Sequence, residues 1–454
     1  MTIMPEEQRI DNELNKRFDR FMKRFKINGL LRSAGAVKEN GIGTKTLFVF
    51  LLRLVFTRRN LYETMTASSE RPFFSKNTIY RFLIRSTVNW EIFVNRLSAA
   101  AIPEIDKLTD ESRRTVLIID DTPYWRNRSK KVELLSRCYD HSAKAYYKGF
   151  TMLNLGWSDG QSYMPVDFQL LASGNDKNLL HGSQARADKR TLATKRRMRA
   201  RAEKPVLALQ MLENAKGTPA QTQHVVFDSW FASPFFMLSV KNLGYDTVAR
   251  IKNHENYRYL YNGEILPLSQ IYSVNRKRRG KSRYLLSVTV EIRHKDFKDP
   301  VPAKIVFVRD RNNAKKWIAL ISTDMALNED EIISLYAKRW DIEPFHKVMK
   351  STLCLTKEFQ TRSFDAITAH AAIVLTRYIF LSIENRDDRS IGGLFLLICE
   401  ELSDISFQYA FDLLMTVFVE FLVNCSGIAI EHVNQVVGEF ISCLPSCLKA
   451  RLAT

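Results

Sequence analysis

The sequence predicts an α/β fold whose sheet is flanked by helical regions on both sides. Three observations predict it. Residues 1–100 carry apolar positions at helical spacing, as in LFVFLLRLVF and IYRFLIRSTVNWEIFVNRL. From about residue 113 short apolar runs bounded by turn residues take over, beginning with VLIID at 116–120. Helical texture returns at Asn328, a capping residue followed by Glu329, Asp330 and Glu331 in the first turn.

The first region, 1–105, reads as a helical DNA-binding region. Its piece FFSKNTIYRFLIR sets Ser75 and Asn77 before an amphipathic helix with Arg81 and Arg85. A DNA-reading helix has that pattern, and so does a capped helix with a solvated basic face. VLIID reads as a strand buried on both faces. TMLNLGWSDG (151–160) and YMPVDFQLLA (163–172) continue as strands. The helix PVLALQMLENAKG, the strand HVVFD (224–228), the helix PFFMLSVKNLG and the strand YDTVARI (245–251) follow. Strand-strand-strand-helix-strand-helix-strand is the order of a ribonuclease H-like α/β core. Its first part is placed at 113–251. YRYLYNG, YLLSVTVEIRH, KIVFVRD and WIALIST then read as antiparallel strands, a β-rich insertion over 252–324. The second part of the core is placed at 325–385 and a C-terminal helical region at 386–454.

At 454 residues the chain has room for roughly two to four domains. With 45% hydrophobic residues it can bury a sizeable core, which excludes a disordered tail. Lys and Arg number 68 against 49 Asp and Glu, a net charge of +19. So basic a chain calls for a polyanionic partner, with nucleic acid first. The six cysteines show no disulfide or zinc spacing and read as thiols in a reducing compartment. MTIMPEEQRIDNELNKRF is charged where a signal peptide is apolar. FDLLMTVFVEFLVN (411–424) is too short to span a bilayer and contains Glu420, so it reads as a core helix. The expectation is a cytoplasmic, nucleoid-associated protein with no membrane partner.

Three carboxylate positions stand out. Asp120 and Asp121 end the first strand, Asp228 ends a later one, and Glu343 lies in the helical segment YAKRWDIEPFHKVMK. Acidic residues at the carboxyl ends of buried strands face the crevice where α/β sheets bind ligands. Gathered together, three such groups offer hard oxygen ligands for Mg²⁺, and two ions so held cleave phosphodiesters. Singly, a strand-end Asp is as readily a turn former. Tyr336, Arg339, Glu343 and Lys350 fall at i, i+3, i+7 and i+14, one face of a continuous helix. Pro344 removes a donor from that helix and threatens a kink. The basic run 186–204 and the loop 275–283 are expected to touch DNA backbone. His346 and Trp317 are weaker candidates, for a metal ligand and a base wedge; a strand Trp is more often core.

The spacing Y-x2-R-x3-E-x6-K, here Tyr336, Arg339, Glu343 and Lys350, resembles the signature of the insertion-sequence-4 family of bacterial DDE transposases. DDT at 120–122, FDSWF around Asp228 and the downstream YDTVARIKN also resemble that family, over about 115–385. The resemblance implies a ribonuclease H-like fold, two Mg²⁺ or Mn²⁺ ions, and cut-and-paste DNA transposition by hydrolysis and strand transfer. It implies a catalytic, metal-holding triad of Asp121, Asp228 and Glu343, and phosphate contacts from Tyr336, Arg339 and Lys350. Asp121 is chosen over Asp120 because a Thr follows it. The expected partners are terminal inverted repeats and target DNA, with a homodimer in the DNA complex. Two other classes compete: a non-catalytic, DNA-binding transposase remnant, and a metal-dependent nuclease without strand transfer.

Overall fold

A computed structural model of the chain describes residues 16–384, apart from 58–59, 67–71, 109–112, 141–142, 184–187, 279–281, 311–312 and 359. Beyond 384 it describes scattered residues between 391 and 419 and the helix Ile430–Cys443. Most of the 411–424 segment, and most of the C-terminal region expected at 386–454, therefore lie outside the described residues.

Among the described residues, eleven strands form one mixed sheet. They are β1 (Val116–Trp125), β2 (Ser136–Asp140), β3 (Ala145–Ser158), β4 (Tyr163–Leu171), β5 (His224–Phe227) and β6 (Asp246–Ile251). Then come β7 (Arg258–Tyr261), β8 (Glu264–Pro267), β9 (Leu286–Ile292), β10 (Val301–Asp310) and β11 (Asn313–Ser322). β1, β5 and β6 are parallel neighbours; β3 runs antiparallel to β1, and β4 to β3. The parallel pairs need crossovers, and helices supply them. β7 to β11 pair antiparallel among themselves, and β11 joins β6, so the 252–324 strands extend the central sheet.

Strands β1 and β3 run further than expected. β1 continues through both aspartates to Trp125 because β3 offers partners as far as Gly149. β3 starts six residues early, because its first turn pairs with β2, whose sequence SRCYD lacks an apolar run. Gly149, at φ 155°, lets these strands meet; a Cβ there would stand 2.1 Å from the Tyr124 carbonyl oxygen.

The N-terminal helices are α1 (Ile27–Ser33), α2 (Thr44–Leu54), α3 (Leu61–Thr66), α4 (Lys76–Leu83) and α5 (Trp90–Asp106). α5 is capped by Asn89, which accepts from Ile92 N, and it buries Trp90, Phe93, Val94 and Leu97 at helical spacing. α6 (Leu192–Ala200), α7 (Lys204–Ala215), α8 (Pro234–Asn242) and α9 (Leu268–Val274) follow. The last are α10 (Glu329–Ala337), α11 (Ile342–Ser351), α12 (Phe364–Glu384) and α13 (Ile430–Cys443). Asn328 and Glu331 close a capping box on α10. α12 is apolar enough to cross a membrane, but 94% of its apolar window is buried inside the protein, so it is the central core helix. It packs on α2, α4, α5 and β4. Arg377 of α12, fully buried, donates to the Leu52 carbonyl at 3.1 Å and to Glu358 at 2.8 Å. A buried guanidinium is tolerated only when so completely partnered. The N-terminal helices are thereby tied into the same core as the sheet.

The run 186–204 does not present a uniform DNA-facing surface. Lys189, Arg190 and Lys195 are exposed, but Arg196 and Arg197 of α6 point inward. Arg197 binds Glu133 at 2.6 Å and Asp365 at 2.9 Å; Arg196 pairs with Asp365 and, at 3.5 Å, Glu91. Acids from three distant segments meet these cations, which no local charge count reveals. In the loop after α9, Lys277 lies over Tyr272 and Arg278 over Tyr284. Trp317 stacks on Tyr272 at 5.0 Å and meets Phe307 edge-to-face at 4.9 Å, so it packs within an aromatic cluster.

Candidate active site at the ends of the parallel strands

The site is built by register. In the parallel pair β1 and β5, Ile119 lies opposite Phe227. The next residues are Asp120 and Asp228, so the register carries two carboxylates to the point where β5 ends and β1 runs on alone beside β3. Apolar VLII and HVVF are buried on both faces, which fixes that register. Successive residues of a strand point to opposite faces, and β1 continues, so Asp120 and Asp121 diverge.

Asp120 faces Arg339: Oδ2 lies 3.5 Å from Nη1. Its other oxygen accepts the Asp121 N–H at 2.9 Å. Burial pushes the Asp120 carboxyl up to about 7; the charges of Asp121 and Asp228 add to this, and Arg339 opposes it. Asp121 instead pairs with Lys204, at the start of α7. The Lys204 ammonium also sits 4.4 Å from the Trp230 ring centroid. Asp228 Oδ1 accepts the Trp230 N–H at 2.9 Å. Asp120 thus lies on the side of Arg339 and Asp121 on the side of Lys204.

The signature segment is not one continuous helix. α10 ends at Ala337, a 3-10 turn spans Lys338–Asp341, and α11 begins at Ile342. Pro344 lies in the first turn of α11, where its missing N–H costs little. The side chains still converge on the strand ends. Arg339 Nη1 is 3.9 Å from Glu343 Oε1, so one guanidinium stands between Asp120 and Glu343. Its Nε is buried with no hydrogen-bond partner, and the group lies 4.7 Å from the Trp340 ring centroid. Tyr336 is near enough to feel Arg339, Arg250 and Asp228; its phenol is pushed up, chiefly by burial. Lys350 donates to Thr122 Oγ1. Burial lowers the Lys350 ammonium, and Asp140 and Glu343 pull the other way. His346 is buried, with Nε2 3.2 Å from Asn154 Nδ2, and burial drives it down to about 3. Its ring nitrogen is engaged with the Asn154 amide.

Asp120, Asp228 and Glu343 offer carboxylate oxygens, the donors a divalent cation takes. Among the described residues, no three His, Cys, Asp or Glu side chains close together as a ready-made metal cage. The donor set fits in kind, and the buried Asp120 carboxyl beside a like charge is where a cation is most stabilising. In spacing the set is open, with Arg339 between two of its members. Lys204 ends the basic run 186–204 and Arg250 lies within YDTVARIKN, but no local pattern assigns either a role at the site, because each reaches it only through folding.

A mixed α/β sheet carrying carboxylates on neighbouring parallel strands, faced by half-buried arginine and lysine, has the makings of a phosphodiester-cleaving protein. The family comparison agrees. The DDE superfamily endonuclease model matches residues 49–317, more than half of the chain, and the protein belongs to that family. The matched span includes Asp120, Asp121 and Asp228 and ends before Tyr336, Arg339, Glu343 and Lys350. No curated protein matches the chain.

Proposed function

We propose that the protein is a DDE transposase of the insertion-sequence-4 kind, excising an element and joining its ends to target DNA. The observation that carries this reading is the meeting of two distant motifs. The register of β1 on β5 sets Asp120 beside Asp228, and Arg339, from the Tyr-Arg-Glu-Lys segment, ties Asp120 toward Glu343. The order β4-β3-β1-β5-β6, three antiparallel strands and then two parallel neighbours, supports a ribonuclease H-like core. Strands β7–β11 are the insertion between its two parts.

Asp120, Asp228 and Glu343 would hold two Mg²⁺ or Mn²⁺ ions. When bound, such ions supply Lewis-acid activation of water and stabilise the leaving oxygen. Arg339 and Lys350, both largely buried, give charge-assisted hydrogen bonds to phosphate oxygens. Tyr336 packs beside Arg339 and limits its swing. Asp121 holds Lys204 and, through it, the Trp230 segment that follows Asp228. Inverted-repeat ends and target DNA are the substrates, bound by a homodimer in a cytoplasmic, nucleoid-associated setting.

The test is a plasmid carrying the gene's flanking repeats, incubated with purified protein and Mg²⁺. Excision with joined products is the expected result. Nicking with no joining would make the protein a nuclease without strand transfer. Binding without any cleavage would leave a DNA-binding remnant and overturn the reading.

A further inference from the structure

The β2–β3 hairpin, at one edge of the sheet, has two unlike faces. In its ladder Cys138 pairs with Tyr147, and both turn inward; Tyr147 is buried. On the other face Arg137 pairs with Lys148 and Tyr139 with Tyr146. All four are exposed, the two rings to 43% and 61%. The tyrosine rings lie 5.0 Å apart, tilted 66°, and the Arg137 guanidinium covers Tyr146 at 4.0 Å. Edge strands are often blunted with charge; here two aromatic rings share the exposed face with the charges.

The surroundings are strongly positive. Arg128, Lys130, Lys131 and Lys144 are exposed within the same stretch. Its two acids are Glu133, buried against Arg197, and Asp140. The hairpin also reaches toward the candidate active site through β1, whose last residue pairs with Gly149 of β3. Exposed Trp125, which closes β1 opposite Gly149, lies 4.9 Å from the Lys350 ammonium.

Aromatic rings interleaved with cations form the usual platform for unpaired bases: the π-faces stack while the cations follow the phosphates. Paired bases in a duplex present no free face to such rings. We infer that the exposed face of the β2–β3 hairpin binds a single-stranded DNA flank, stacking its bases on Tyr139 and Tyr146. This deepens the DNA-cleaving reading and rests on it.

The experiment measures binding of a fluorescent oligothymidine strand, and of a duplex of equal length, to the full chain. Tyr139→Leu/Tyr146→Leu keeps an apolar cross-strand pair and removes the π-faces; Tyr139→Phe/Tyr146→Phe keeps them. The Leu pair should weaken single-strand binding about tenfold and leave duplex binding within about twofold, and the Phe pair should bind like wild type. Unchanged single-strand affinity in the Leu pair would overturn the inference, as would equal losses on strand and duplex, or a wild-type protein with no single-strand affinity. Plasmid cleavage is read on the same preparations. Cleavage that persists while the binding result fails removes the hairpin surface alone; a wild-type protein that never cleaves DNA removes the transposase reading.

Discussion

Arg339 Nη1 lies 3.5 Å from Asp120 Oδ2, joining residues 219 positions apart in the chain. Near 4 Å and partly screened, such a pair is worth a few kcal/mol of Coulomb energy, largely offset by the cost of burying both groups. Its interest lies in direction. It identifies which of two adjacent aspartates faces the signature segment, and it sets a fixed cation where metal-holding carboxylates are proposed.

The first prediction separates the two aspartates. Asp120→Asn should lower the nicking rate at least about 100-fold, since even residues that only orient metal ligands cost 10–100-fold. Asp121→Asn should lose the Lys204 ion pair and keep the rate within about tenfold. Initial nicking rates on a supercoiled plasmid decide it. The reverse ranking would restore Asp121 as the first carboxylate.

Arg339→Ala and Lys350→Ala should each weaken binding to any end sequence and reduce the log–log salt slope by about 1, as loss of one phosphate contact does. Titrations at several salt concentrations measure this. Slopes equal to wild type in both variants would make these residues internal partners of Asp120 and Thr122 only.

Arg197→Met should act on stability rather than on DNA. It leaves Glu133 and Asp365 buried without the cation that pairs with both. Breaking a buried pair in this way costs about 3–5 kcal/mol. Urea unfolding should show that loss, while the salt slope of DNA binding stays unchanged below the transition. A reduced salt slope in a stable variant would return α6 to the DNA interface.

Asp167 carries a pH prediction away from the site. It is fully buried, and burial pushes its carboxyl up to about 7, with Asn214 opposing at 3.3 Å. The folded state therefore holds this proton more tightly than the unfolded chain. Between the ordinary carboxylate range near 4 and about 7, the folded state binds more protons, so stability falls as pH rises through that window. Asp167→Asn keeps the shape without the proton. Its unfolding midpoint should lose that part of the fall between about pH 4 and pH 7. Parallel slopes for variant and wild type would mean Asp167 is ionised in the fold.

Much of the architecture was legible in the sequence, for a local reason. Runs such as VLIID and HVVFD can satisfy their backbone and bury their side chains only as interior strands. Asn328 with three acids behind it can only begin a helix efficiently. The candidate carboxylates and the Tyr336–Lys350 spacing were also visible, since chemistry of this kind restricts residue type. What the sequence left open depends on partners far away along the chain. The orientation of Asp120 against Asp121 follows from the pairing of β1 with β5, more than one hundred residues on. Arg196 and Arg197 look like any solvated charges until Glu91, Glu133 and Asp365 are folded against them. β2 has no apolar run and exists because β3 offers it an edge. Local propensity and composition act over a few residues and determined the elements; register, burial and charge pairing act across the chain, and only the tertiary structure decided them.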